Sequence, residues 1–312
     1  MLASRPRARF VLFLPFLILG LITSTLAATA ESAEAPPAGQ RIVTAGHSFH
    51  MFLPEMLREM AQSAGIKGHT QVAAQSIGGS RVIQHWDVAD EKNKVKPALR
   101  SGEVDVLTLS PIYLPDQGIE NFVRLAAEHS DDVRVTLQLF WLPYDVYDVN
   151  YQKKRPAPVD RNTRTVADLH KENAAYFASF EEHAKDLNKQ LGRPVVFLVP
   201  VGQAVIALRA KIIAGEAPGL QSQEDLFTDA IGHASPPLKA LTAYCHYAVI
   251  YRRSPVGLPV PAVLKKPNAD DDMTETTAAL NRLLQELAWQ AALAHPLSGV
   301  EEVKTNVEPS RP

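Results

Sequence analysis

The sequence predicts an α/β fold, a parallel β-sheet with helices packed on both faces. Five short runs, at 42–45, 71–74, 104–109, 133–140 and 195–199, are mostly apolar and rich in β-branched residues, as strands covered on both faces tend to be. Stretches of helical periodicity separate them, so strand and helix alternate almost throughout, the order that builds a parallel sheet. Length agrees: roughly 280 residues follow the amino-terminal segment, room for one large α/β domain or two small ones.

Taken in order, residues 1–30 carry a basic start (Arg5, Arg7, Arg9), an apolar core at 10–22 and the small-residue site Ala28-Thr29-Ala30. This is the pattern of a cleavable signal peptide, which predicts a secreted or periplasmic protein. The apolar core falls short of the roughly 20 residues that span a bilayer, so no membrane span is expected after cleavage. Residues 31–40, with Pro36, Pro37 and Gly39, read as a linker, and 41–296 as the domain.

The first strand ends in "AGHSF", and helical spacing follows over 52–63, with Phe52, Met56, Leu57 and Met60 on one face. Ser48 therefore has two readings. It is a helix cap, accepting from an orphan backbone N–H, or a nucleophile at the carboxyl end of a strand, where open α/β sheets bind ligands. The second strand runs into "QSIGGSRVIQHW", whose Gly78-Gly79 permits a tight turn with unobstructed N–H groups, before a helix over 82–101. Such groups suit a developing oxyanion. The third strand ends in "TLSPIYLPDQG", supplying Ser110, and a helix follows over 117–130. After the fourth strand come Trp141 and Tyr144, as an aromatic wall near the mouth of a site or as core. A polar, proline-broken insertion at 148–168 reads as a binding loop or a plain surface loop. Helices are predicted at 165–191, 203–215, 235–251 and 274–294, with a disordered tail at 297–312.

The formal charge of −2 and the lack of a basic stripe exclude nucleic acid as a partner. A single cysteine, Cys245, excludes an internal disulfide. His47 and His50 flank Ser48, but no further cysteine or histidine lies at ligand spacing. No metal and no other cofactor is expected. Asp229 and His233, four residues apart before the helix at 235–251, can form a base whose tautomer a carboxylate fixes.

A serine after strand one, a glycine turn after strand two and an Asp/His pair before a late helix should gather at one sheet edge, as activation of a weak hydroxyl requires. In this combination the chain resembles the SGNH, or GDSL-type, hydrolases, over about residues 41 to 257. "AGHSF" resembles their first block, "SIGGS" the second and "DAIGH" the late one. The resemblance implies a three-layer α/β/α sandwich of flavodoxin-like type with a five-stranded parallel sheet. It also implies Ser48 as nucleophile, Gly79 with the Ser48 N–H as oxyanion donors, His233 as base and Asp229 as its orienting carboxylate. His47 stands where the family has aspartate, the late pair is spaced one residue wider, and the third block has no asparagine. Ser110 takes that place, or the oxyanion site rests on Ser48 and Gly79. The expected function is an exported esterase acting through an acyl-serine on a small-molecule or polysaccharide ester, an acetylated carbohydrate by analogy. The alternative is a non-catalytic carbohydrate-binding protein on the same fold. As an esterase the protein should bring Ser48 Oγ within hydrogen-bond reach of His233, with Asp229 on the other ring nitrogen and an irregular loop freed by Gly232.

Overall fold

Five strands, β1 (Arg41–Gly46), β2 (Thr70–Ser76), β3 (Val106–Leu109), β4 (Arg134–Gln138) and β5 (Val196–Val199), pair in parallel in the order β2-β1-β3-β4-β5. This is the flavodoxin-like order, in which the chain reverses its direction of travel across the sheet between β1 and β3. The computed structural model describes residues 35–150, 153–265 and 275–301. From Pro36 onward the chain forms one compact unit. The expected signal segment, Tyr151, Gln152, 266–274 and 302–312 lie outside the described residues.

The central strands are buried on both faces, while β2, at the edge, alternates between exposed and half-buried positions. Eight helices appear among the described residues: α1 (Leu53–Ser63), α2 (Val82–Trp86), α3 (Val95–Arg100), α4 (Gln117–His129), α5 (Val166–Leu191), α6 (Val201–Ile213), α7 (Pro236–Tyr251) and α8 (Glu275–Ala294). They form two groups by contact. α2, α3 and α4 pack together, whereas α7 packs against α1, α6 and α8. α1 buries Leu53, Met56, Leu57 and Met60, the one-face stripe its periodicity predicts. α7 is different: nearly every residue from Leu238 to Tyr251 is buried, because α8 covers the side that the sheet does not. A helix apolar all round is a core helix, and burial pushes the Cys245 thiol pKa up, leaving it inert. Among the described residues no helix is long and apolar enough to cross a membrane.

Two expectations are corrected. The helix expected over 82–101 is two short helices. Asn93 explains the break, since its Oδ1 accepts from the N–H groups of Val95 (3.0 Å) and Lys96 (2.9 Å) while its Nδ2 donates to the carbonyl of His85 (2.9 Å). An asparagine that bonds the backbone on both sides caps one helix and closes the other. The tail expected to begin at 297 is packed as far as Val300. Leu198 N–H donates to the Leu297 carbonyl at 2.9 Å, and Ser298 and Val300 are buried. Among its described residues the insertion carries a single 3-10 turn, Arg161–Thr163, before Thr165 caps α5 with Asp168.

Candidate active site

β1 ends at Gly46, and the chain makes a tight turn before α1 starts at Leu53. His50 and Met51 donate their N–H groups to the His47 carbonyl at 2.9 and 3.0 Å. The cap position of α1 belongs to Phe52, with no side-chain bond to the helix. Ser48 is therefore not a helix cap. Its Oγ lies 2.8 Å from His233 Nε2.

His233 stands on an irregular loop closed by a bridge between Phe227 and Ala234. Gly232 has φ +100°, a conformation that favours glycine, and it turns the imidazole back toward β1. Asp229 holds the loop from inside. Its Oδ1 accepts from the backbone N–H groups of Gly232 (2.9 Å) and His233 (3.0 Å), and its Oδ2 accepts from His233 Nδ1 at 2.6 Å. With the ring proton on Nδ1, the Nε2 lone pair faces the Ser48 hydroxyl. Burial raises the Asp229 pKa, but the bonds from His233 and Gly232 outweigh it and hold the carboxyl below its usual range.

The loop rests on buried groups. Trp141 Nε1 donates to the Gly232 carbonyl at 2.7 Å, and its ring stacks on Phe49 at 4.8 Å. Phe49 in turn meets the edge of His233 at 5.4 Å. Arg161, from the insertion, donates to the carbonyls of Ala230 (2.7 Å) and Asp229 (3.4 Å) and to Glu224 Oε2 (2.9 Å). Beside it, Arg209 grips both oxygens of Asp145 at 2.9 and 2.7 Å, and all three residues are at least 95% buried. Such a pair is costly to break, because removing one partner leaves a buried charge uncompensated. Arg161 and Gln138 carried no signal in the sequence. Trp141 was legible as an aromatic near the mouth, yet it supports the loop from within.

Gly79 has φ +60° and lines, with Gly78, Gln84, Tyr144, Arg155, Asp229, Ala230, Ile231 and His233, a cavity of about 690 Å³. Tyr144 is thus on the lining, held at φ +57° with its N–H on the Ile231 carbonyl at 3.1 Å. Ser110 is elsewhere. It is 1% exposed, and its Oγ accepts from His47 Nε2 at 3.0 Å, while His47 Nδ1 accepts from the Phe49 N–H at 3.3 Å. The expected part for Ser110 on the substrate side is corrected: it anchors His47 beneath the turn that carries Ser48. Two of the three departures from the SGNH-type pattern, His47 and Ser110, therefore touch each other.

A second buried layer holds the turn to β4. Gln138 Nε2 donates to the Phe49 carbonyl at 3.2 Å, and its Oε1 accepts from His50 Nδ1 and His246 Nε2, both at 2.8 Å. His50 Nε2 accepts from Thr108 at 3.1 Å. Burial lowers the His47 pKa to about 3 and that of His50 to about 4, and drives His246 well down. These imidazoles fold neutral, whereas in the unfolded chain they take up protons below about pH 6.5. Stability is therefore full above pH 6.5 and declines as pH falls toward 4, by about 2 kcal/mol for each such histidine at pH 5. Calorimetry between pH 7 and 5, above the range where unfolded carboxylates titrate, should show Tm falling steadily. A flat Tm in that window would contradict neutral burial.

Among the described residues, no group of three or more histidine, cysteine, aspartate or glutamate side chains could hold a metal. No family model matches the chain, and no curated protein matches it. One solved structure that it resembles is that of a protein described as a "putative GDSL-like lipase" from Parabacteroides merdae, at 14% identity and a TM-score of 0.41, covering 70% of this chain and 97% of that one.

Proposed function

We propose that the protein is an exported serine hydrolase that cleaves carboxylic esters through an acyl-Ser48 intermediate, with an acetylated sugar or polysaccharide as its substrate class. One observation carries the reading: Ser48 Oγ, His233 Nε2, His233 Nδ1 and Asp229 Oδ2 form a chain with links of 2.8 and 2.6 Å. That is the relay an unactivated hydroxyl needs.

In the reaction Ser48 Oγ attacks the ester carbon as its proton passes to His233 Nε2. Asp229 steadies the imidazolium through Nδ1. The oxygen of the tetrahedral intermediate forms next to the Ser48 N–H, with Gly79 on the adjoining cavity wall supplying a second donor. Collapse expels the alcohol, which takes the proton back from His233. Water, activated by the same nitrogen, then frees the acid and restores the serine. The block order shared with SGNH-type hydrolases supports this reading. Export is supported by the basic start, apolar core and small-residue site of residues 1–30, and a carbohydrate substrate by the polar insertion that reaches the cavity through Arg155.

The test is covalent capture. Fluorophosphonate should label the protein at Ser48, with labelling lost in Ser48→Ala. An unlabelled Ser48 in folded protein would sink the hydrolase reading and favour carbohydrate binding without turnover.

A further inference from the structure

The cavity beside Ser48 carries a positive charge that ester cleavage does not require. Arg155, in the insertion, lines it alongside His233, Asp229, Gly79 and Gln84. Its guanidinium is exposed and has no carboxylate partner among the described residues. The other arginines around this loop are committed: Arg161 to Glu224 and two carbonyls, Arg209 to Asp145. Lys153 and Lys154 precede Arg155, exposed, with their N–H groups on the Asn150 carbonyl at 2.8 and 3.0 Å. In a chain whose formal charge is −2, this is a local excess of the opposite sign.

No ion pair joins it to the cavity wall among the described residues. Among the described residues Asp229 is the one acidic residue on the lining, and both its oxygens are held by His233 and Gly232 rather than by Arg155. Gln84 accepts the Arg81 N–H on its Oε1 at 2.9 Å, which leaves its side-chain amide as a donor on the lining. A planar guanidinium fork matches a carboxylate, which accepts two parallel N–H bonds, and an amide donor on the same cavity lining adds a further polar partner.

We infer that the ester cleaved at this site carries a carboxylate on its acyl or alcohol part, and that Arg155 binds it while Ser48 attacks. The inference rests on the hydrolase reading and narrows its substrate to acidic esters, such as an acetylated sugar bearing an acid group. Arg155 contributes to binding in ground and transition states alike, so its effect falls on KM. Because the group is exposed, the effect weakens as salt screens it.

Two pairs of chromogenic esters test this: 3-carboxy-4-nitrophenyl acetate against 4-nitrophenyl acetate for the alcohol part, and 4-nitrophenyl hemisuccinate against 4-nitrophenyl butyrate for the acyl part. For each pair the ratio of kcat/KM, charged over neutral, is compared between wild type and Arg155→Met, which cancels the intrinsic reactivity of the esters. In at least one pair the ratio should fall about tenfold in Arg155→Met, through KM. Arg155→Lys should recover part of it, and 0.5 M salt should shrink the wild-type ratio toward that of Arg155→Met. Ratios that Arg155→Met leaves unchanged in both pairs overturn the inference. That includes an equal loss on charged and neutral esters, which would assign Arg155 to the reacting oxygen instead. Ser48→Ala separates the two levels: turnover that depends on Ser48 without a charge ratio defeats this inference alone, whereas turnover indifferent to Ser48 defeats the hydrolase reading beneath it.

Discussion

Ser48→Ala should lower turnover of 4-nitrophenyl acetate by about 10⁴-fold or more, and His233→Ala nearly as much. The double variant should lose little beyond either single one. The hydroxyl has no use for a base that it cannot pass a proton to, and the base has no use for an absent hydroxyl, so the two act as a unit. The geometry makes this sharp, because His233 Nε2 at 2.8 Å is the nitrogen set to take the Ser48 proton. Steady-state kcat measured on folded, Tm-checked variants decides it. A His233→Ala variant retaining a tenth of the activity would remove His233 as the base.

Asp229→Asn should cost about 10³–10⁴-fold in kcat with the fold intact. The size follows from how Asp229 is held. Its Oδ1 already accepts two backbone N–H groups, from Gly232 and His233. An asparagine must keep its oxygen there, since its amide nitrogen cannot accept. The NH₂ then takes the place of Oδ2 and donates to His233 Nδ1. The ring proton moves to Nε2, and the lone pair facing Ser48 is lost. Nitrogen-15 NMR of the imidazole should report the changed tautomer alongside the kinetics. Activity within tenfold of wild type would make Asp229–His233 a surface ion pair with no part in the chemistry.

Much of the fold was legible because it is written locally. The strands announce themselves as apolar runs, and α1, α4 and α5 as periodic stretches. The helix at 82–101 misled because its break depends on Asn93 bonding the backbone on both sides, which periodicity does not see. The Asp229–His233 pair was legible because four residues separate it. Ser48 was not decidable alone, since a cap and a nucleophile both follow a strand; the cap reading falls because α1 begins at Leu53. The supports of the site were invisible for a different reason. Gln138 meets Phe49 across 89 positions and Arg161 meets Ala230 across 69, and no short-range pattern encodes such meetings. Ser110 was misplaced because a side chain at a strand end can face the cavity or the core, and here His47 draws it inward.

The insertion at 148–168 looks expendable, the kind of polar, proline-broken stretch in which substitutions and deletions accumulate. Arg161 makes one part of it indispensable, since the turn that carries Asp229 and His233 hangs from its guanidinium. A lineage that trimmed the stretch would have to rebuild that suspension or lose the pair. Drift should therefore run freely through the exposed positions on either side that do not reach the cavity, and stop at Arg161, with Glu224 and Asp145 changing only in step with it. The segment that looks most like ornament is, at one residue, a keel.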